Sequence, residues 1–334
     1  MSIAAYKGIW VFAEQRDGKL QKVSLELLGK GRELADKLGV ELTALLLGSD
    51  IDDIAKELIA YGADKVIYAE NPLLKHFTTD GYAKVICDLV NDIKPEAILV
   101  GASFIGRDLG PRVAARLATG LTADCTSLDV DSENGNLLMT RPAFGGNLMA
   151  TIVCGAHRPQ MSTVRPGVFE KLAKDTTRTG EIQKVTANLS EADIRTEVVE
   201  VIKVAKDIID IGEAKVIVAG GRGIGNKEGF EILKELADTL EGTVAGSRAA
   251  IDNGWLDKAY QVGQTGKTVR PNLYIACGIS GAIQHLAGMQ DSDYIIAINK
   301  DADASIMKVA DLAIVGDYKK VIPEIIAQVK EMAN

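Results

Sequence analysis

The chain has 334 residues, 47% of them apolar and 25% charged, and 46 acidic against 38 basic side chains leave a formal net charge of −8. With no basic excess to neutralise phosphates, general nucleic-acid binding is excluded, and no apolar run is long enough to span a membrane. The length calls for two domains, and 33 glycines against 5% aromatics suit the aliphatic strands and tight turns of an α/β fold.

In chain order, the first elements alternate. Ile9, Trp10, Val11 and Phe12 open a strand over 9–13, so close to the N-terminus that no signal or transit peptide fits before it. Cytoplasmic residence is the expectation. Val23, Leu27, Leu34 and Leu38 share one face of a helix over 23–38. A strand over 42–47, a helix over 51–60, a strand over 65–69, a helix over 82–93 and a strand over 97–100 follow. The next helix is expected over 111–118, with Pro111 in the first turn, where its missing N–H costs nothing. Strands spaced by helices imply a parallel sheet with right-handed crossovers.

After Gly120 the rhythm changes. Strands at 124–130, 137–141, 148–154 and 160–164 have no helices between them and read as hairpins that extend the sheet. Residues 171–195 are polar, as expected of an exposed connection, and 196–204 reads as a β-branched strand. A new series starts at Lys215: a strand at 216–219, a helix over 227–240, strands at 273–277, 294–298 and 312–315, and a closing helix over 318–332. The boundary falls near 205–210. Two α/β domains result, 1–205 and 206–334, each a mainly parallel sheet flanked by helices.

Little chemistry lies in the first domain. Arg107, Arg112 and Arg116 form a basic set whose default is a solvated face and whose alternative is a subunit contact. Cys87, Cys125, Cys154 and Cys277 form no CxxC pair and read as small buried hydrophobes in a reducing compartment. His76, His157 and His285 are too far apart in sequence to suggest a metal site.

The second domain holds the candidate site. Gly220 to Gly225 follow a strand but lack the third glycine of a Rossmann fingerprint, since position 226 is Asn. What remains is either a tight turn with an exposed Arg222 or an anion site. The strand at 273–277 runs into small residues and then a helix. Ser280 reads as its N-cap, with Gly281 and Ala282 leaving backbone N–H groups open to a phosphate, and a plain capped helix as the alternative. His285 would sit about one turn in, partly exposed. Gly246-Ser247-Arg248-Ala249-Ala250 sets an Arg among small residues, and Val262-Gly263-Gln264-Thr265-Gly266 is a turn rich in open N–H groups. Either segment alone reads as a loop.

Together these segments resemble the electron-transfer flavoprotein alpha-subunit family. The matching blocks occur in the family's order: Gly221-Arg222-Gly223, the two loops just given, Ser280-Gly281-Ala282-Ile283-Gln284-His285, and Ala297-Ile298-Asn299-Lys300-Asp301. The first half adds Leu117 to Cys125, Thr140 to Gly146 and Thr163 to Gly167, so the similarity covers almost the whole chain. It implies a C-terminal, Rossmann-like FAD domain. By position, Arg222, Ser247, Val262, Gly263, Gln264, Thr265 and Ser280 to Gln284 hold the phosphates, ribityl chain and ring. Asn299, Asp317 and Tyr318 fall at the adenosine end. Arg248 and His285 fall on the pyrimidine side of the flavin, and Thr265 near N5, where a fixed cation and a donor favour added negative charge.

The resemblance further implies a heterodimer with a beta subunit packed on the first domain, a hinge around 195–210, and flavoprotein dehydrogenases such as acyl-CoA dehydrogenase as electron donors. The chain would then be an electron carrier, active as an oxidoreductase only within a complex. Three other readings stand beside it: a shuttle in a bifurcating, NADH-oxidising complex, an NAD-dependent oxidoreductase, and a non-redox nucleotide sensor.

Overall fold

Strand β1 (Ile9–Phe12) has no polar side: Ile9 and Val11 join the core on one face, Trp10 and Phe12 the core on the other. Such a strand must be covered on both faces, the condition met by a parallel sheet between helices. The computed structural model, which describes residues 3–143, 148–202, 211–212 and 214–332, has that architecture. The chain divides into two compact units, Met1–Ile202 and Lys203–Asn334.

In the first unit β1 is followed by a small hairpin, β2 (Gln15–Arg16) and β3 (Lys19–Leu20), then α1 (Lys22–Leu38) and β4 (Leu42–Gly48). Next come α2 (Asp52–Ala60), β5 (Lys65–Glu70), α3 (Thr79–Ile93), β6 (Ala97–Gly101) and α4 (Phe104–Arg116). The unit continues with β7 (Leu121–Cys125), β8 (Ser127–Val130), β9 (Leu137–Ala143), β10 (Leu148–Ile152), β11 (Gln160–Val164) and β12 (Glu181–Thr186). Seven strands form one parallel sheet in the order β12-β5-β4-β1-β6-β11-β7.

The structure corrects the sequence reading at four places here. Helix α4 starts at Phe104, not near Pro111, because the Ser103 hydroxyl accepts from the Gly106 N–H at 3.0 Å and caps it. Pro111 is therefore inside the helix, where it removes one helical hydrogen bond. The strand expected over 124–130 is two strands in two sheets. Asp124 takes a left-handed φ of 62°, β7 pairs irregularly with β11, and the chain leaves the main sheet. Strands β8, β9 and β10 then form a separate antiparallel sheet instead of extending the first.

Third, the polar stretch read as a connection contains β12. Its Lys184 reaches Glu70 at 2.5 Å and Glu181 pairs with Lys65 at 3.0 Å, so cross-strand charge holds this edge strand to β5. The β-branched segment at 196–202 forms no strand: it meets no partner edge, and Val199 is 91% exposed. The end of that expected strand, part of the proposed hinge at 203–210, and Phe144 to Gly146 of a matching block lie outside the described residues.

The second unit contains β13 (Val216–Gly220), α5 (Gly229–Thr239), β14 (Thr243–Gly246), α6 (Arg248–Asp252), β15 (Leu273–Cys277), α7 (Ile283–Leu286), β16 (Ile295–Asn299), β17 (Leu312–Val315) and α8 (Tyr318–Met332). Its sheet is parallel throughout, ordered β14-β13-β15-β16-β17. Phe230, Leu233, Tyr318 and Ile322 of α5 and α8 cover one face together with Val218 and Ile275. On the other face Ile217, Ala219, Tyr274 and Ala276 pack under Val262, Met289 and Ile306, side chains of the long loops. Those loops carry the site.

Candidate functional site

The strand order of the second unit reverses between β13 and β15: the chain leaves β13 toward β14 on one side and later goes on from β15 toward β16 on the other. At such a switch point the connections splay apart and open a crevice beyond the carboxyl ends of the strands. A cleft of ≈ 660 Å³ lies there, lined by the turns after β13, β14, β15 and β16 and by the loop around Gln261 to Thr265. Its size is that of a small-molecule or cofactor site.

Glycines bring two of these turns together. A Cβ at Gly221 would stand 2.3 Å from the Gly278 carbonyl oxygen, and one at Gly223 would stand 2.8 Å from the Gly278 Cα. The Gly223 N–H donates to that same carbonyl at 2.9 Å. The glycine-rich turn after β13 thus serves backbone-to-backbone packing, with Arg222 left exposed on the cleft wall.

Most of the expected residues come together. Arg222, Ser247, Arg248, Val262, Gly263, Gln264, Thr265, Ser280, Ala282, Gln284, His285 and Asn299 all line the cleft. Gly281, Ile283, Asp317 and Tyr318 do not. Tyr318 is buried, its hydroxyl donating to the Ile224 carbonyl at 2.9 Å, while Asp317 pairs with Lys300 at 3.1 Å. Sequence reasoning missed Gln261, Asp252, Asp301 and Ala304 on the wall. Asp252 was within reach, being four residues after Arg248 on α6 and paired with it at 3.4 Å. Gln261 had no signal, although its Nε2 donates to the Thr265 hydroxyl at 2.9 Å and fixes it.

Two local expectations are corrected. Ser280 is not an N-cap: α7 starts only at Ile283, with Ala282 before it, and the Ser280 carbonyl instead accepts from the Ile306 N–H at 3.2 Å. A four-residue helix offers little dipole, but the site does not need one. Among the described residues no protein acceptor pairs with the N–H groups of Ser280, Gly281 and Ala282. Asn299 anchors this turn by donating to the Ile279 carbonyl at 2.9 Å.

The second correction concerns His285, which is buried and not partly exposed. Its Nε2 lies 3.0 Å from the hydroxyl of the buried Tyr274. Burial pulls the imidazole pKa down to about 4, against a weaker opposite pull from the Val262 backbone, so the ring is neutral at physiological pH. Its Nδ1 is buried without a hydrogen-bond partner among the described residues. Nearby Cys277 is also buried, which pushes its thiol up to about 12 and leaves it inert.

Comparison with known proteins decides what this cleft belongs to. The model of the electron transfer flavoprotein domain matches residues 9–190, and that of the electron transfer flavoprotein FAD-binding domain matches 210–290. The chain is 71% identical over 336 residues to the electron transfer flavoprotein subunit alpha of Clostridium acetobutylicum, covering 100% of both chains. The chain belongs to the electron transfer flavoprotein alpha-subunit family. It is also 52% identical to the acryloyl-CoA reductase electron transfer subunit beta of Anaerotignum propionicum, covering 99% of this chain and 98% of that one. To the lactate dehydrogenase (NAD(+),ferredoxin) subunit LctC of Acetobacterium woodii it is 45% identical, covering 98% of this chain and 78% of that one.

As a member of this family the chain is an FAD-carrying electron-transfer subunit, not a stand-alone NAD-dependent oxidoreductase or nucleotide sensor. Alpha subunits of the family pair with a beta subunit. The cleft suits FAD on its own terms: the unpaired N–H groups of Ser280 and Ala282 and the Arg222 guanidinium answer a diphosphate. Among the described residues no helix is long and apolar enough to cross a membrane.

Proposed function

We propose that the cleft at the β13/β15 switch point holds the FAD, and that the chain passes its electrons between flavoprotein dehydrogenases and an acceptor. The convergence of the β15–α7 turn, the Gln261 to Thr265 loop and Arg248 on one crevice carries this reading. Bound FAD supplies one- and two-electron redox chemistry. The protein's part is to bind and tune. Ser280 and Ala282 offer backbone donors and Arg222 a cation to the diphosphate, Thr265 offers a hydroxyl oriented by Gln261, and Asn299 keeps the β15 turn in place. Arg248 and His285 adjust the electrostatics of the ring end, the first by charge and the second as a neutral donor. Asp317 and Tyr318, outside the cleft, act on the adenosine end through the backbone at the start of α8.

Flavoproteins of the acyl-CoA dehydrogenase kind are the proposed redox partners, supported by the relative named for acryloyl-CoA reductase. A cytoplasmic location agrees with four free cysteines. A second reading, a shuttle in a complex that oxidises NADH and splits the electrons, is supported by the relative named for both NAD(+) and ferredoxin. Ser280→Glu tests the site, because Ser280 is exposed on the cleft wall and a carboxylate there opposes a diphosphate without disturbing packing. The expected product is a colourless protein with an unchanged apo melting temperature, and full flavin occupancy would remove the phosphate assignment. Anaerobic titration of the complex with NADH separates the two functional readings: bleaching of the flavin without a dehydrogenase favours the second.

A further inference from the structure

The sheet of the first unit has a switch point of its own. From β1 the chain goes to β4 on one side, and after β5 it returns to β6 on the other. The connections after β1 and β6 therefore flank a crevice position at the carboxyl ends of the strands, where open α/β sheets take ligands. The strands on either side of β1 end in glycine, β4 at Gly48 and β6 at Gly101. Side chains of the same unit fill the room those glycines leave. A Cβ at Gly48 would stand 2.6 Å from the Gln15 amide nitrogen, and one at Gly101 would stand 2.6 Å from a Val23 methyl.

The connection after β1 is folded back as the hairpin β2–β3 and is tied down on both sides. Toward β4, Gln15 Nε2 donates to the Leu47 carbonyl at 3.1 Å. Toward β6, the Ser103 hydroxyl at the start of α4 donates to the Glu14 carboxylate, and Arg16 Nη2 donates to the same carboxylate at 2.8 Å. The Glu14 carbonyl accepts from the Gln21 N–H at 2.9 Å and from the Ser24 hydroxyl at 3.0 Å, which closes the base of the hairpin onto α1. Glu14 is only 2% exposed, and what holds its charge there is a guanidinium and a hydroxyl, the donors an external anion would use.

We propose that this hairpin is a built-in lid that holds the first unit's crevice shut, with the Glu14 carboxylate in the place of a ligand's anionic group. The second unit leaves the equivalent position open as its cleft. The lid is independent of what that cleft binds.

The test uses the complex with the beta subunit. Glu14→Ala with Gln15→Ala unties both sides of the hairpin, and trypsin should then cut after Arg16 or Lys19 at least about 10-fold faster than in the native protein. The opened crevice should also admit an anion. With inorganic phosphate as the probe, titration calorimetry should show about one more bound phosphate than in the native protein, so that phosphate held elsewhere cancels. Adding Ser103→Ala withdraws the hydroxyl and should remove that extra phosphate. Glu14→Gln, which keeps the shape and drops the charge, is the milder variant and should speed cleavage about 3- to 10-fold. A hairpin cut at the native rate in Glu14→Gln, or in a folded double variant, overturns the lid. An opened hairpin without the extra phosphate, or with phosphate that survives Ser103→Ala, overturns the place given to the carboxylate.

Discussion

Arg248 opens α6 with 71% of its side chain exposed and shares its charge with Asp252. A fully desolvated guanidinium 4 Å from the flavin would contribute several kcal/mol, but exposed pairs contribute about 1 kcal/mol or less. With 59 mV per tenfold change for one electron, Arg248→Ala should lower the first one-electron potential of bound FAD by no more than about 40 mV. Asp252→Asn, which frees the guanidinium, should raise it. Spectroelectrochemistry of FAD-saturated variants decides, and two unshifted potentials would leave Arg248 no electrostatic role. His285 gives a prediction in pH. Its folded pKa of about 4 lies below the ordinary ~6.5, so above pH 6.5 neither state gains a proton and stability is flat. As pH falls from there, the unfolded chain takes up a proton that the folded one refuses, and stability drops by roughly 3 kcal/mol by about pH 4. Urea titrations should show the native protein losing its advantage over His285→Gln across that window. His76 and His157 are exposed and present in both chains, so equal pH slopes would contradict the buried neutral ring.

At the scale of elements, the turn between β15 and α7 is shaped by packing as much as by ligand. Gly281 has φ +81°, and a Cβ there would stand 2.2 Å from the Ile306 nitrogen. Gly281→Ala should therefore destabilise the second unit by about 1–3 kcal/mol, and colour lost in that variant reports misfolding, not a blocked phosphate. Gly225→Ala, with φ +93° and nothing within 4 Å, should lose only about 1 kcal/mol, and thermal melts of the apo proteins compare the two. In the first unit, Asp80 receives Arg195 at 2.8 Å and Arg112 at 3.0 Å, and these partners hold its carboxyl down at about 2. The Arg195 side-chain hydrogen bond dominates. Arg112 is thus a structural clamp within its own unit, and Asp80→Asn should make the segment after β12 open to limited proteolysis at neutral pH. Equal cleavage rates would assign the cluster no such role. The same elements explain what the sequence allowed one to read. Buried parallel strands such as β4, β6 and β15 stand out because both their faces are aliphatic, and α8 because its apolar stripe is continuous. Strand β12 was hidden because cross-strand charge holds it, and 196–202 misled because β propensity without a partner edge makes no sheet. Within the site, short blocks carried the loops, while Gln261 and the Tyr274–His285 bond stayed hidden because they depend on neighbours distant in sequence or only visible in space.

For the whole molecule, the question is what makes the chain work as half of a pair. The three-stranded antiparallel sheet ends in β10, an edge strand on which Leu148 is 58% exposed, Met149 56% and Ile152 40%. An apolar edge open to water invites pairing with another chain, and natural proteins normally blunt such edges with charge or cover them. Leu148 and Ile152 are four residues apart and so lie on the same side of the strand. If the beta subunit covers this edge, both side chains become interface core, where truncated or charged anchors typically lose about 2 kcal/mol or more. Leu148→Lys with Ile152→Lys should then weaken the heterodimer at least about 30-fold while leaving the chain's own melting temperature unchanged, because neither side chain belongs to the buried cores. Val199→Lys, at a residue as exposed but isolated from any sheet, is the control and should change nothing. Expressed without its partner, the native chain should aggregate or shed FAD, whereas the doubly charged variant should stay monomeric. Analytical ultracentrifugation of alpha, beta and their mixture reads all of these at once. A double variant that still forms a one-to-one complex of native affinity would move the interface off β10, and a native chain that stays monodisperse and flavin-loaded by itself would count against obligate pairing.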